Sequence, residues 1–182
     1  MAEDQTAHRS RRALLAAAAG GAAALAAQAA GLDLPGLEAF AAGRAVPWDI
    51  TGEYLRRWGA LAGLPDLAPA EAGRRLASLA AEADVVHYEC YLPDFVGHGR
   101  IEETAERTLE LVDGLIAGVL GHLRPGDTLL VVSDHGNLEE PAHSRHTTNP
   151  VPLLLVGPAA PLAAAARDLS DVAGVILAAL GA

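Results

Sequence analysis

Apolar and polar positions alternate most clearly between Ile101 and Leu123. Ile101, Ala105, Leu109, Val112, Leu115, Ile116 and Val119 recur at helical spacing, with Glu102, Glu103, Glu106 and Glu110 mostly on the opposite side. That spacing predicts an amphipathic helix, stopped by Pro125-Gly126. A second helix is expected from Pro69 to Glu82, opened by proline at its first turn. Thr51 is placed to cap a short helix through Trp58. Ser170 to Leu180 reads as a closing helix with Asp171 in its first turn. Residues 33–45, broken by Pro35 and several glycines, read as loop.

Three segments have strand character. Asp84 to Cys90 (DVVHYEC) is short and rich in β-branched and aromatic residues. Asp127 to Ser133 (DTLLVVS) is a continuous apolar run of strand length, which suits a parallel strand buried on both faces. Val151 to Gly157 (VPLLLVG) carries Pro152 near its start, where proline is tolerated. Strand, helix, strand, strand and helix in this order predict an α/β layered domain with a largely parallel sheet flanked by helices. Residues 1–83 then form a helical and loop segment of the same domain, and 84–182 its α/β core. Ligands in such folds bind at the carboxyl ends of the strands.

Residues 9–31 begin Arg-Ser-Arg-Arg and continue as an uncharged Ala/Gly/Leu run. A membrane-spanning helix needs about 20 strongly apolar residues, and alanine with a Gly20-Gly21 break fits this poorly. A twin-arginine export signal fits Arg11-Arg12 and the small residues Ala27-Gln28-Ala29. We favour a soluble helix packed on the sheet and a cytoplasmic chain, with export as the alternative and no membrane partner.

Composition narrows the function. The 182 residues are 51% apolar and 20% charged, as in a folded globular chain. Thirteen basic against 23 acidic residues leave a net charge of −10, which argues against nucleic acid as a partner. Every basic residue is arginine, so a P-loop, which needs lysine on the phosphates, is excluded. One cysteine, Cys90, permits neither an internal disulfide nor a thiolate zinc cluster. It is expected to be a buried, unactivated thiol.

Unusual residues gather where the strands meet their loops. The first strand leads into Pro93-Asp94-Phe95-Val96-Gly97-His98, the second into Asp134-His135-Gly136-Asn137, and the third follows His143-Ser-Arg-His146-Thr-Thr-Asn149. Asp94 and His98 are four apart, so a helical turn there would face both to one side, where they can share a metal. Asp134 and His135 are adjacent and leave the chain in different directions, which suits two metals or a metal and a substrate. Carboxylate and imidazole without thiolate suit Zn²⁺, Mn²⁺ or Fe. The other histidines have plainer readings. His87 lies within a strand, His122 ends a helix near its negative pole, His8 is close to the terminus, and His143 supports a neighbouring ligand or is solvated.

PDFVGHG at 93–99, LVDGL at 111–115, VVSDHGNLEE at 131–140 and HTTNPVPLLLVGP at 146–158 resemble the metal-binding half of the alkaline phosphatase superfamily. They are most similar to cofactor-independent phosphoglycerate mutase and its shorter metalloenzyme-domain relatives. The resemblance covers about residues 84–180 and implies an alkaline phosphatase-like fold with two divalent metals, Mn or Zn. It implies that Asp94, His98 and His146 hold one metal, and that Asp134 and His135 supply two ligands of the other. In the family an upstream aspartate and a serine or threonine nucleophile complete the second site. The nucleophile takes the phosphoryl group and passes it to water or to an acceptor hydroxyl.

Nothing before Asp94 resembles that first strand and its Asp-Gly turn. Asp49 and Thr51, in VPWDITGE, are the nearest Asp and Thr, but they resemble a stretch downstream of the nucleophile. No catalytic residue is therefore assigned, and the first strand is expected to be missing. The chain then corresponds to the C-terminal part of a longer phosphatase or phosphomutase, through truncation, splitting or decay. It would have one complete metal site, a small phosphorylated substrate if active, and a possible complementing N-terminal half. The alternative is a non-catalytic metal-binding remnant or subunit.

Overall fold

A computed structural model describes residues 13–16 and 22–181. In chain order the elements are β1 (Ala13–Ala16), α1 (Ala22–Ala29), α2 (Leu37–Ala41), α3 (Glu53–Arg57) and α4 (Pro69–Leu79). They continue with β2 (Val85–Tyr88), α5 (Leu92–Gly97), α6 (Ala105–Leu120), β3 (Leu129–Val132), β4 (Leu153–Val156) and α7 (Val172–Ala179). Short 3-10 turns at Ala160–Ala165 and Leu169–Asp171 join β4 to α7.

The α/β class holds, but the described strands form two separate pairs. β1 runs parallel to β2, with Ala13 opposite Val85 and Ala16 opposite Tyr88. β3 runs antiparallel to β4, with Leu129 opposite Val156 and Val132 opposite Leu153. The apolar run at 127–133 suited a parallel strand, and here its neighbour among the described strands is antiparallel. A continuous apolar run specifies burial, and either strand direction can provide it.

The N-terminal expectation is corrected in two ways. Ala13–Ala16 is a strand rather than part of a helix, and among the described residues of this segment the helix is Ala22–Ala29. A strand therefore does lie beside β2, although no Asp-Gly turn follows it in the sequence. Alanine and leucine both favour helix, but propensity is a weak preference that pairing with β2 overrides here. Arg11-Arg12 and Gly20-Gly21 lie outside the described residues. Among those described, no helix is long and apolar enough to cross a membrane.

The principal core lies between α4 and α6. Ala72, Leu76 and Leu79 of α4 and Leu111, Leu115 and Val119 of α6 are buried, each large side chain contributing about 1.5–3 kcal/mol. The helices meet through glycine. A β-carbon on Gly118 would lie 2.1 Å from the Ala70 carbonyl oxygen, and one on Gly73 equally close to that of Leu115. α6 starts at Ala105 rather than Ile101 because Thr104 caps it, its Oγ1 accepting from the Arg107 N–H at 3.1 Å. Ile101 still packs on the core from outside the helix.

The loop before α3 is tied down by Asp49. Its buried carboxylate accepts from the N–H groups of Gly52 (3.0 Å), Tyr54 (2.7 Å) and Leu55 (3.4 Å). Burial pushes this carboxyl's pKa up, and the N–H donors oppose that shift. Thr51 Oγ1 accepts only from the Glu53 N–H, so Asp49 does most of the capping expected of Thr51. The neighbouring Trp48 is buried and sits 5.0 Å from Phe95 and 6.2 Å from Tyr91, ring centre to ring centre. This aromatic layer supports α5 from behind.

Candidate metal centre

β2 delivers the chain to α5, which begins with Pro93 in its first turn. Leu92, fully buried, anchors the helix, and Phe95 turns toward Trp48. Asp94 and His98, one turn apart, share the opposite side, and the His98 N–H donates to the Asp94 carbonyl at 2.9 Å. β3 ends just before Asp134 and His135, and the loop preceding β4 brings His146 to the same place.

The groups converge on one carboxylate oxygen. Asp94 Oδ1 lies 3.2 Å from His98 Nε2, 3.4 Å from His146 Nε2 and 3.6 Å from His135 Nε2. The two nitrogens of His98 and His146 are 2.9 Å apart. One ligand atom from each of Asp94, His98 and His146 fits within 4.8 Å of the others. The His135 and His146 rings stack with centroids 3.5 Å apart and planes 15° apart.

Protons decide what this cluster can bind. His98 Nδ1 lies 2.5 Å from the Ser144 carbonyl oxygen, an acceptor, so Nδ1 carries the proton. Nε2 is then a lone pair pointing at Asp94 and His146, the tautomer a metal needs. An anionic oxygen and imidazole lone pairs at one point repel unless a cation or proton lies among them. The donor set therefore fits a divalent metal of the Zn²⁺, Mn²⁺ or Fe²⁺ type.

Asp134 stands apart from this cluster. Its side chain is 89% exposed, and it lies 3.6 Å from His135 Nε2. His143 is also outside it, accepting from the Arg145 N–H at 3.3 Å. His87 is exposed on β2, and His122 Nδ1 lies 2.9 Å from the Gly118 carbonyl at the end of α6. Asp49 spends its carboxylate on backbone N–H groups. Cys90 is partly buried, and burial pushes its pKa to about 12.

Sequence reasoning missed a polar group beside the Asp94, His98 and His146 cluster. Glu139 binds Thr147, Asn149 and the Asn137 backbone, and burial hides the Asn137 side chain against Gly97 of α5. The only available signal was the concentration of polar residues in VVSDHGNLEE and HTTN, which does not say which of them pair.

Carboxylate and imidazole gathered at the strand ends of an α/β domain are what a metal-binding domain of the alkaline phosphatase-like kind presents. The chain belongs to the Metalloenzyme superfamily, whose family model matches residues 67–182. It is similar to 2,3-bisphosphoglycerate-independent phosphoglycerate mutases. The Rhodopseudomonas palustris protein is 36% identical over 123 residues, covering 62% of this chain and 24% of that protein. The Serratia proteamaculans protein is 34% identical over 127 residues, 64% of this chain and 24% of the relative. The Syntrophotalea carbinolica protein is 42% identical over 73 residues, 36% and 14%. The chain thus spans about a quarter or less of the length of these relatives. No solved structure matches it significantly.

Proposed function

We propose that this chain is the metal-binding part of a phosphoryl-transfer enzyme acting on a small phosphorylated substrate. The observation that carries the reading is the convergence of His98 and His146 Nε2 on Asp94 Oδ1. These three residues hold one divalent cation, Mn²⁺ or Zn²⁺. Asp134 and His135 are two ligands of a second site, which needs further groups. A cation pair of this kind stabilises charge on the oxygens of a transferring phosphoryl group.

The chain's own residues bind and orient. His98 is locked in the metal-binding tautomer by Ser144. Asp94 supplies charge to the first site and, through its contact with His135, adjoins the second. No residue is assigned as nucleophile. The Ser133 hydroxyl donates to the His135 carbonyl and the Thr147 hydroxyl to Glu139, so both are committed elsewhere. A nucleophile-bearing segment, in a longer chain or a separate half, completes the site. Leu154 and Val156, on one face of the β3–β4 pair and 55% and 45% exposed, are apolar surface such a segment would cover.

Calorimetric titration of the metal-free chain with Mn²⁺ or Zn²⁺ tests the reading, together with hydrolysis of a generic phosphate ester before and after chelation. One tight site is expected, with at most slow turnover by the chain alone and none after EDTA. Absence of binding, or activity that survives EDTA, overturns it. The commitment of both nearby hydroxyls favours a second reading, a subunit that binds metal and transfers nothing alone. Turnover at an ordinary enzyme rate by the purified chain would eliminate that reading.

A further inference from the structure

We propose that Glu139 is a positioning residue: its carboxylate clasps the loop that presents His146 to the loop that presents His135, and so sets the metal geometry. This rests on the metal-centre reading above.

The two loops come from distant parts of the chain and need a device to hold them in register. Backbone pairing supplies one contact, because the Thr147 N–H donates to the Gly136 carbonyl at 2.8 Å and these residues form an isolated β-bridge. A single bridge lets the two loops pivot about it. Glu139 adds the missing constraints. A turn closed by the Glu140 N–H on the Asn137 carbonyl (3.1 Å) folds its side chain back over the bridge. Its Oε2 then accepts from the Asn137 N–H at 2.7 Å, on its own loop. Its Oε1 accepts from the Thr147 hydroxyl at 2.5 Å and from the Asn149 side-chain amide at 3.0 Å, on the other loop.

Thr147 follows His146 directly in the chain, so fixing its side chain fixes the backbone that carries the imidazole. The threonine hydroxyl donates to Glu139 and also accepts from the Asn149 N–H at 3.3 Å, which leaves it one orientation. The space for this arrangement exists only because residue 136 is glycine. A β-carbon there would lie 2.2 Å from Thr147 Oγ1 and 2.4 Å from Glu139 Oε1. Three donors converge on a carboxylate at the crossing of two ligand-bearing loops. An exposed glutamate that served only solubility would show no such convergence.

The donor pattern predicts how substitutions rank. Alanine removes all three bonds. Aspartate keeps the charge but is one methylene too short to span the loops. Glutamine keeps an oxygen for Thr147 and Asn149 and turns its amide toward the Asn137 N–H, so two of three bonds survive. Thr147→Val removes the hydroxyl with little change of shape.

The test uses the full chain, with Co²⁺ as probe, following affinity by titration and ligand geometry by the visible absorption of the bound ion. Circular dichroism of each metal-free variant shows that the fold is retained. Glu139→Ala is expected to weaken Co²⁺ binding about 10–100-fold, as loss of a group that orients a ligand does, and to alter the absorption bands. Glu139→Gln should restore much of both, and Glu139→Asp little. Thr147→Val should lose a similar factor, and the double variant Glu139→Ala/Thr147→Val should bind no worse than Glu139→Ala alone. Wild-type affinity and spectrum in Glu139→Ala, or penalties that multiply in the double variant, would overturn the clasp. If the wild-type chain binds no Co²⁺, the metal-centre reading fails and the clasp falls with it; wild-type binding with an indifferent Glu139→Ala overturns the clasp alone.

Discussion

The Nδ1 nitrogen of His98 faces the carbonyl oxygen of Ser144 at 2.5 Å, 46 residues away in sequence. This bond gives the imidazole one tautomer and turns its free lone pair toward Asp94 and His146. It also makes a ligand assignment testable. Asp94→Ala or His146→Ala should remove the tightly bound metal, weakening it beyond the 10–100-fold typical of supporting residues. His143→Ala should leave binding unchanged, since His143 serves only a local turn. Bound metal after dialysis, measured by elemental analysis, checks this. Loss in His143→Ala with retention in His146→Ala would show the third ligand to be misassigned. The same variants should lose the thermal stabilisation that metal confers on wild type.

The contact between α4 and α6 predicts a steep cost for one methyl group. A β-carbon on Gly118 meets the Ala70 carbonyl oxygen at 2.1 Å, and that neighbour is backbone in another helix. The helices must separate to admit it. Gly118→Ala should therefore destabilise by about 1–3 kcal/mol despite alanine's better helix propensity. Gly126→Ala, where a β-carbon meets nothing within 4 Å, should stay within about 0.5 kcal/mol of wild type. Urea unfolding of the two variants compares them directly, and equal stabilities would contradict the close approach.

What could be read from the residues divides along local and long-range lines. The α6 helix was legible because its apolar stripe is written into 23 consecutive positions, 101–123. Its true start was set by one side chain, Thr104, although Ile101 also fits the stripe. Asp94 and His98 were legible as a pair because a helical turn puts residues four apart on one side. Strand partners were not legible: β3 pairs with β4 across a 20-residue connection, residues 133–152, and the apolar pattern is silent on direction. The Ala13–Ala16 strand was missed because alanine's helical preference is weak enough for a neighbouring strand to override. Glu139 was missed because a glutamate in a loop ordinarily points to water, and only the fold shows three donors meeting it.

Cys90 yields a prediction about reactivity. Its thiol pKa is pushed by burial from the ordinary 9.0 to about 12. At pH 8 the thiolate fraction is then on the order of one in ten thousand, and the thiolate is the reactive species. Iodoacetamide at pH 8 should leave the native chain unmodified over a time that consumes a free cysteine, and should label it fully in urea. Intact mass spectrometry reads both. Rapid labelling of the native chain would place the thiol in water.

Acid titration offers a separate view of the loop crossing. The hydroxyl of Thr147, followed by backbone and Asn149 donors, holds the Glu139 carboxyl at about 2, below its ordinary 4.5. A carboxylate whose folded pKa is depressed binds its proton more tightly in the unfolded chain. Its stabilising effect is therefore complete at pH values above about 4.5 and is lost as pH falls toward 2. The group is exposed, so the effect is modest. Glutamine at this position cannot ionise and lacks that pH dependence. In metal-free protein, wild type should therefore melt above Glu139→Gln at pH 6, and the gap should narrow steadily from about pH 4.5 downward. Melting curves from pH 6 to pH 2.5 measure it. A gap that stays constant over this range would mean that shape, not the charge on Glu139, holds the loops together.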